Sequence, residues 1–174
     1  MSMRQKTCCF TGHRSIPQKL LPPLTELLEQ EILTLYNQGI HYFGAGGALG
    51  FDTLAAEAVL RLRKNCPLMR LILVLPCPDQ TKGWRPQDIK RYEEIKAQAD
   101  KIVYTSTHYT SDCMQKRNRH LVDHSCICVC YLVRTNGGSA YTICYAGIQG
   151  VEVRNLHCKM PAQGEGGAAE GGDG

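Results

Sequence analysis

The sequence predicts an α/β protein with a doubly wound, mainly parallel sheet and helices on both faces. Three observations predict it. Strand-like and helix-like segments alternate along the chain, the pattern that lays helices across a parallel sheet. Two runs, Leu71–Leu75 and Cys126–Val133, are apolar at nearly every position, as strands covered on both faces are. The polar and glycine-rich turns follow strand-like segments, on the edge where such sheets bind ligands.

Each element has its own signal. Lys6–Phe10 reads as the first strand and ends in the polar turn Thr11-Gly12-His13-Arg14. After Pro22-Pro23, the residues Leu24, Leu27, Leu28, Ile32 and Leu35 recur at helical spacing and mark one buried face. Gly39 suits the end of that helix. A second strand, Ile40–Phe43, opens into Gly44-Ala45-Gly46-Gly47-Ala48-Leu49-Gly50. The second helix is expected from about Thr53 to Lys64, before Pro67. Leu71–Leu75 is a central strand, and Pro76–Pro86 a long loop carrying the only tryptophan, Trp84. A third helix over Gln87–Gln98 turns Ile89, Tyr92 and Ile95 inward. The short strand Lys101–Tyr104, the polar loop Thr105–Asp112 and a fourth helix over Cys113–His124 follow. The strand Cys126–Val133 opens into a second glycine turn, Arg134–Ser139, then a fifth helix (Ala140–Gln149) and an edge-like strand (Val151–Leu156). Residues 1–160 are thus expected as one domain of Rossmann-like type. The Gly/Ala/Glu tail over 161–174 has no apolar face to bury and is expected to be disordered.

Composition narrows the function classes. The formal charge is +4, and the last fourteen residues hold three acids and no Lys or Arg, so the preceding body carries +7. That excess suits an anionic ligand but is too mild to imply nucleic acid. No apolar run approaches a membrane span of about 20 residues. The N-terminal residues lack the apolar core of a signal peptide, which predicts a cytoplasmic protein with no membrane partner. Ten cysteines without a secretory signal or a CxxC pair are expected as reduced thiols. Cys126, Cys128 and Cys130 alternate along a strand, where buried cysteine acts as a small hydrophobe. No metal is expected.

The stretch from His41 to Thr53 is the centre of the chain. Strand, glycine turn and helix make a unit that cradles a phosphate: glycines bring backbone close to a ligand, and amides at the helix start favour an anion. Phe10-Thr11-Gly12-His13-Arg14 together with Gly46-Gly47-Ala48-Leu49-Gly50-Phe51-Asp52 resembles the YpsA-like family of the SLOG superfamily, which also holds the LOG phosphoribohydrolases and DprA. The resemblance covers nearly the whole chain before the tail. It implies a Rossmann-like fold and a nucleotide-derived ligand of the ADP-ribose or NAD type. Met114-Gln115-Lys116-Arg117, the strand and Gly137-Gly138-Ser139-Ala140 look similar to the LOG enzymes' arginine helix and glycine turn. Arg117 falls where their catalytic arginine stands. Their catalytic glutamate, however, falls at Cys144, and a thiol cannot manage the protons of glycosidic cleavage as a carboxylate does.

The candidate ligand residues are Thr11, Gly12, His13, Arg14, Gly46, Gly47, Gly50, Asp52, Arg117, Gly137, Gly138 and Ser139. Arg14 and Arg117 supply guanidinium forks for phosphate. Arg117 and Arg119 lie two apart, so one at most faces the site. His13 reads as a ring or ribose contact, or as a helix-start histidine. Asp52 reads equally as a ribose contact or base and as the N-cap of the second helix. Gly137-Gly138-Ser139 forms a second phosphate nest. Trp84 reads as a stacking platform or, more often for a lone loop tryptophan, as a packing anchor. The functional expectation is a nucleotide-binding sensor, regulator or sequestering module that requires no cofactor and is open to homo-oligomerisation. The alternative is a hydrolase or transferase acting on an N-glycosidic or phosphate bond. A DprA-like single-stranded DNA role comes third, because such a site wants a strongly basic groove with aromatic platforms.

Overall fold

The structure, a computed structural model, describes residues 1–161. Six strands form one parallel sheet among the described residues: β1 (Thr7–Gly12), β2 (Tyr42–Ala45), β3 (Arg70–Leu75), β4 (Lys101–Tyr104), β5 (Ile127–Tyr131) and β6 (Glu152–Asn155). Their spatial order is β4-β3-β2-β1-β5-β6. Five α-helices connect them: α1 (Leu21–Asn37), α2 (Phe51–Leu62), α3 (Pro86–Gln98), α4 (Cys113–Asp123) and α5 (Gly138–Ile148). The chain steps outward from β1 to β4, then returns to place β5 on the other side of β1. The crevice beyond the ends of β1 and β5 is therefore the switch point of a Rossmann-like sheet. No described helix is long and apolar enough to cross a membrane. Apart from Pro161, the tail expected to be disordered lies outside the described residues.

Side chains alternate across a strand, and here that alternation builds two cores. Cys8 and Phe10 of β1, Phe43 of β2, Leu71 and Leu73 of β3 and Val129 of β5 pack with Leu28 and Ile32 of α1, Val59 of α2 and Ile95 of α3. Cys9, Val74 and Cys128, one position out of step, pack with Leu121 and Val122 of α4 and Ala146 of α5. Cys9 and Cys128 are thus space-filling groups on the narrower side, as Cys8 is on the broader one.

Several boundaries differ from the sequence expectation. β1 runs on through Thr11 and Gly12, because each remains paired with β5, Thr11 opposite Cys130 and Gly12 opposite Tyr131. β2 lies two residues later than expected. Helix α2 starts at Phe51 with Gly50 as its N-cap at φ 77°, so Asp52 is inside the first turn and is not the cap. Helix α1 carries Pro22 and Pro23 in its first turn, where a missing N–H costs nothing, and Gly39 follows its end at φ 99°.

The helical spacing of α1 missed Glu31, which sits on the buried face beside Leu28, Ile32 and Leu35. Its carboxylate accepts hydrogen bonds from Arg154 Nη1 on β6 (2.8 Å) and from Lys159 Nζ (3.1 Å). The pair straps the last strand and the turn after it onto α1. Burial pushes the Glu31 carboxyl up, but the hydrogen bonds from Arg154 and Lys159 outweigh it and hold it below its ordinary value. The strap's contribution is therefore present above the ordinary value of 4.5 and is lost as pH falls through the lower folded value. Glu31→Gln is expected to cost about 1–2 kcal/mol at neutral pH, discounted because Lys159 is half exposed. In urea titrations the gap between wild type and variant should close as pH drops below 4.5; a gap that stays constant into acid would refute the strap.

Candidate functional site

The loops after β1, β2 and β5 meet at the switch point, joined by residues of α2, α4 and α5. Phe51 packs beneath the end of β1, where a Cβ on Gly12 would stand 2.6 Å from its ring. The Phe51 amide donates to the His13 carbonyl at 3.0 Å. Across the crevice, Ser139 Oγ donates to the Gly12 carbonyl at 2.9 Å, which ties the start of α5 to β1. His13 ties β1 to the loop after β5: its Nε2 accepts from the Val133 amide at 2.8 Å and lies 3.4 Å from the Arg134 amide. Burial, then the charges of Arg134 and His157, lower the His13 pKa from its ordinary 6.5. A ring that accepts from a backbone amide at Nε2 must be unprotonated there.

The cleft enclosed by these ties has a volume of about 430 Å³. Nine of the twelve expected residues line it: Thr11 and Gly12 at the end of β1, His13 and Arg14 just after it, Asp52 on α2, Arg117 on α4, and Gly137, Gly138 and Ser139 around the start of α5. Residues of both glycine loops therefore share one cleft. The two loops use glycine differently. Around Gly137, at φ 95°, and Gly138, a Cβ would meet nothing within 4 Å; these positions face open space. Gly46, Gly47 and Gly50 instead face protein. A Cβ on Gly47 would stand 2.5 Å from Leu75, and one on Gly50 2.4 Å from the Arg14 carbonyl oxygen. The surface this loop gives to the cleft is Ala48 and Asp52.

Gly46 explains the electrostatics. A Cβ there would stand 2.8 Å from Arg117 Nη1 and 2.9 Å from Asp52 Oδ2, so the two charges are neighbours over its backbone. Arg117 is 3% exposed and Asp52 6%. Arg117 Nη1 donates to the Gly46 carbonyl, and its Nε donates to Asn118 Oδ1 at 2.7 Å. Asp52 Oδ2 accepts from the Ala48 amide at 3.3 Å. Burial pushes the Asp52 carboxyl up, opposed by Arg117 and by the Ala48 amide. Burial likewise lowers Arg117, opposed by Asp52, although guanidinium stays charged. Arg119, two residues on, turns outward to the Tyr141 hydroxyl and over the Tyr145 ring, as the helical spacing requires.

Among the residues the sequence reading passed over, Arg134 and Asn136 of the second turn and Asn118 on α4 also line the cleft. Their signal was positional: Asn118 follows Arg117, and Arg134 opens the turn that holds Gly137. Cys144 is exposed on α5, because the buried positions of that helix are Thr142 and Ala146. It is not among the residues lining the cleft. Trp84 packs edge-on against Tyr92 with ring centroids 5.6 Å apart and leans on the main core, the packing-anchor reading.

With this geometry in place, comparison with known proteins gives a consistent result. The family model YpsA, described as the YspA SLOG family, matches residues 9–158. The UPF0398 protein YpsA of Bacillus subtilis (strain 168) is 27% identical over 129 residues, 69% of this chain and 72% of that one. The SPbeta prophage-derived protein YoqJ of the same organism is 29% identical over 140 residues, 74% of this chain and 80% of that one. The UPF0398 protein BH1768 of Halalkalibacterium halodurans is 30% identical over 104 residues, and the chain spans only 55% of its length. Among solved structures, DNA processing protein A (DprA) of Streptococcus pneumoniae shares the fold with a TM-score of 0.63 at 16% identity, over 87% of this chain and 50% of that one. TM1055 does so with a TM-score of 0.53 at 18% identity, over 86% and 72%.

Two outcomes follow from the site's construction. Arg117→Ala leaves the Asp52 carboxyl buried without its counter-charge and the Gly46 carbonyl without its donor. It is expected to lower unfolding free energy by about 3–5 kcal/mol, read from denaturant titration; a loss below about 1 kcal/mol, the range of a surface pair, would contradict the burial. The His13 ring should titrate below 6.5 by NMR. Because its folded value is depressed, its contribution to stability is intact above 6.5 and is lost as pH falls toward the folded value. A ring pKa at or above 6.5 would mean that the tie to Val133 does not form.

Proposed function

The chain belongs to the YpsA family of SLOG proteins, and from that premise we propose that its cleft binds the phosphate of a nucleotide or nucleotide-derived ligand of the ADP-ribose or NAD type. The protein then acts as a sensor, regulator or sequestering module in the cytoplasm. One observation carries this reading: Arg14, Arg117 and Arg134 surround an open, glycine-lined helix start, with Asp52 as the cleft's carboxyl group. Guanidinium forks match phosphate geometry, and free amides at a helix start receive the same anion. Arg14 and Arg134 are exposed and available to a ligand. Arg117 is committed to Gly46 and sets the charge of the wall.

A hydrolytic role is the second reading, and Asp52 favours it. Burial raises this carboxyl, as a proton-donating group requires, and it lines the cleft where Cys144 does not. The same titration separates the two. Calorimetry with AMP, ADP-ribose and NAD should show binding to wild type, weakened about tenfold or more by Arg14→Ala through loss of a charge-assisted contact. The nucleotides should be recovered intact after incubation. Undiminished binding by Arg14→Ala would overturn the phosphate reading. Product formation that Asp52→Asn abolishes would replace the binding module with an enzyme.

A further inference from the structure

A second space of about 620 Å³ adjoins the cleft on the side of the loop after β5. His13, Ser15 and Arg134 line both spaces, so the two are neighbours across those side chains. Beyond those shared residues the character of the wall changes. Leu20, Tyr131, Val133 and Met160 are apolar, and His157 adds an imidazole. Tyr131 is 3% exposed and forms the floor, with the rings of His13 and His157 set edge-on against it at 5.9 and 6.1 Å. Val133 is 50% exposed at the rim, an apolar side chain that no core claims.

The lobe is also held in shape. Val133 is fixed by its amide hydrogen bond to His13. Leu132 is fixed on both sides by Asn155, whose Nδ2 donates to its carbonyl at 2.8 Å and whose Oδ1 accepts from its amide at 3.2 Å. Asn155 Oδ1 also accepts from the His157 amide at 3.1 Å, which carries that imidazole to the opposite wall. An apolar space with a few polar groups at its edge, formed before any ligand arrives, is the usual form of a small-molecule site.

The opposite flank of the cleft is different. The space that shares Arg14 is about 270 Å³ and holds Arg85, Asp88 and Arg91 beside Trp84. Arg91 is paired there with Glu57, and Trp84 is spent on Tyr92. That space is the smaller of the two and is lined by charged side chains around the Trp84–Tyr92 pair.

Building on the phosphate reading, we propose that the lobe of Tyr131, Val133 and His157 receives the nucleobase of the ligand, while its phosphate lies at Arg14, Arg134 and the start of α5. The apolar wall takes the faces of the ring. The Ser15 hydroxyl and the His157 imidazole stand within the same space for its polar edge.

Ribose 5-phosphate, which has the phosphate but no base, separates the two halves of the site. Calorimetric titration of the full chain with ribose 5-phosphate and with AMP, GMP, CMP and UMP should show at least one nucleotide binding about tenfold or more tightly than the sugar phosphate, the gain expected from burying the faces of the base against an apolar wall. Val133→Asn, a neutral polar change at an exposed position, and separately His157→Ala should erase that gain and leave ribose 5-phosphate binding in place. Trp84→Phe should preserve it. If no nucleotide binds more tightly than ribose 5-phosphate, or if the gain survives both lobe variants, the base is not held there, although the phosphate reading stands. If ribose 5-phosphate and the nucleotides all fail to bind, the phosphate reading falls and this inference with it.

Discussion

A guanidinium buried against a glycine carbonyl is the constraint from which the site is built. Arg117 reaches from α4 to the Gly46 carbonyl, and a side chain at position 46 would occupy the space that Arg117 and Asp52 fill. The glycine at 46 is therefore required by packing. Burying a charge is costly unless it is paired and hydrogen-bonded. The Gly46 carbonyl, Asn118 and the neighbouring Asp52 meet that requirement together. The same arrangement joins the helix on the narrow side of the sheet to the loop after β2, and it leaves one face of the charge toward the cleft.

The two-core architecture makes this reach possible. Helices α1, α2 and α3 share the broad core with alternate strand residues. The out-of-step residues meet only α4 and α5. Helix α4 thus lies across the sheet from the helices that build the first glycine loop, and Arg117 spans that separation at the sheet's edge. The second glycine turn needs no such support. Ser139 and His13 moor it to the end of β1, and its glycines remain open. One glycine loop has become structural packing while the other stays available to a ligand.

This division bears on the resemblance to the LOG enzymes. Their glutamate position falls on Cys144, an exposed residue of α5. The carboxyl group that does line the cleft arrives from α2, as Asp52. The fold is shared with DprA and TM1055, and a shared fold does not fix the chemistry placed in its crevice, because function resides in sites grafted onto a common scaffold.

The sequence by itself determined the parallel α/β class, the order of its elements and the sheet edge on which the cleft lies. Those follow from period and punctuation: apolar runs at 71–75 and 126–133, helical spacing in α1, and glycines after strands. Helical geometry separates residues two apart, so at most one of Arg117 and Arg119 could face the cleft, and the family resemblance pointed to Arg117. Tertiary structure alone decided which glycines face open space and which face protein, since that depends on Leu75, Arg14 and Arg117 arriving from elsewhere in the chain. It decided that Asp52 is a buried partner and not a cap, because α2 begins at Phe51. It decided that Glu31, on an apolar helix face, meets Arg154 and Lys159 more than a hundred residues later. Local pattern carries the direction of a side chain relative to its own element, whereas the partner it meets is set by how the elements close on one another.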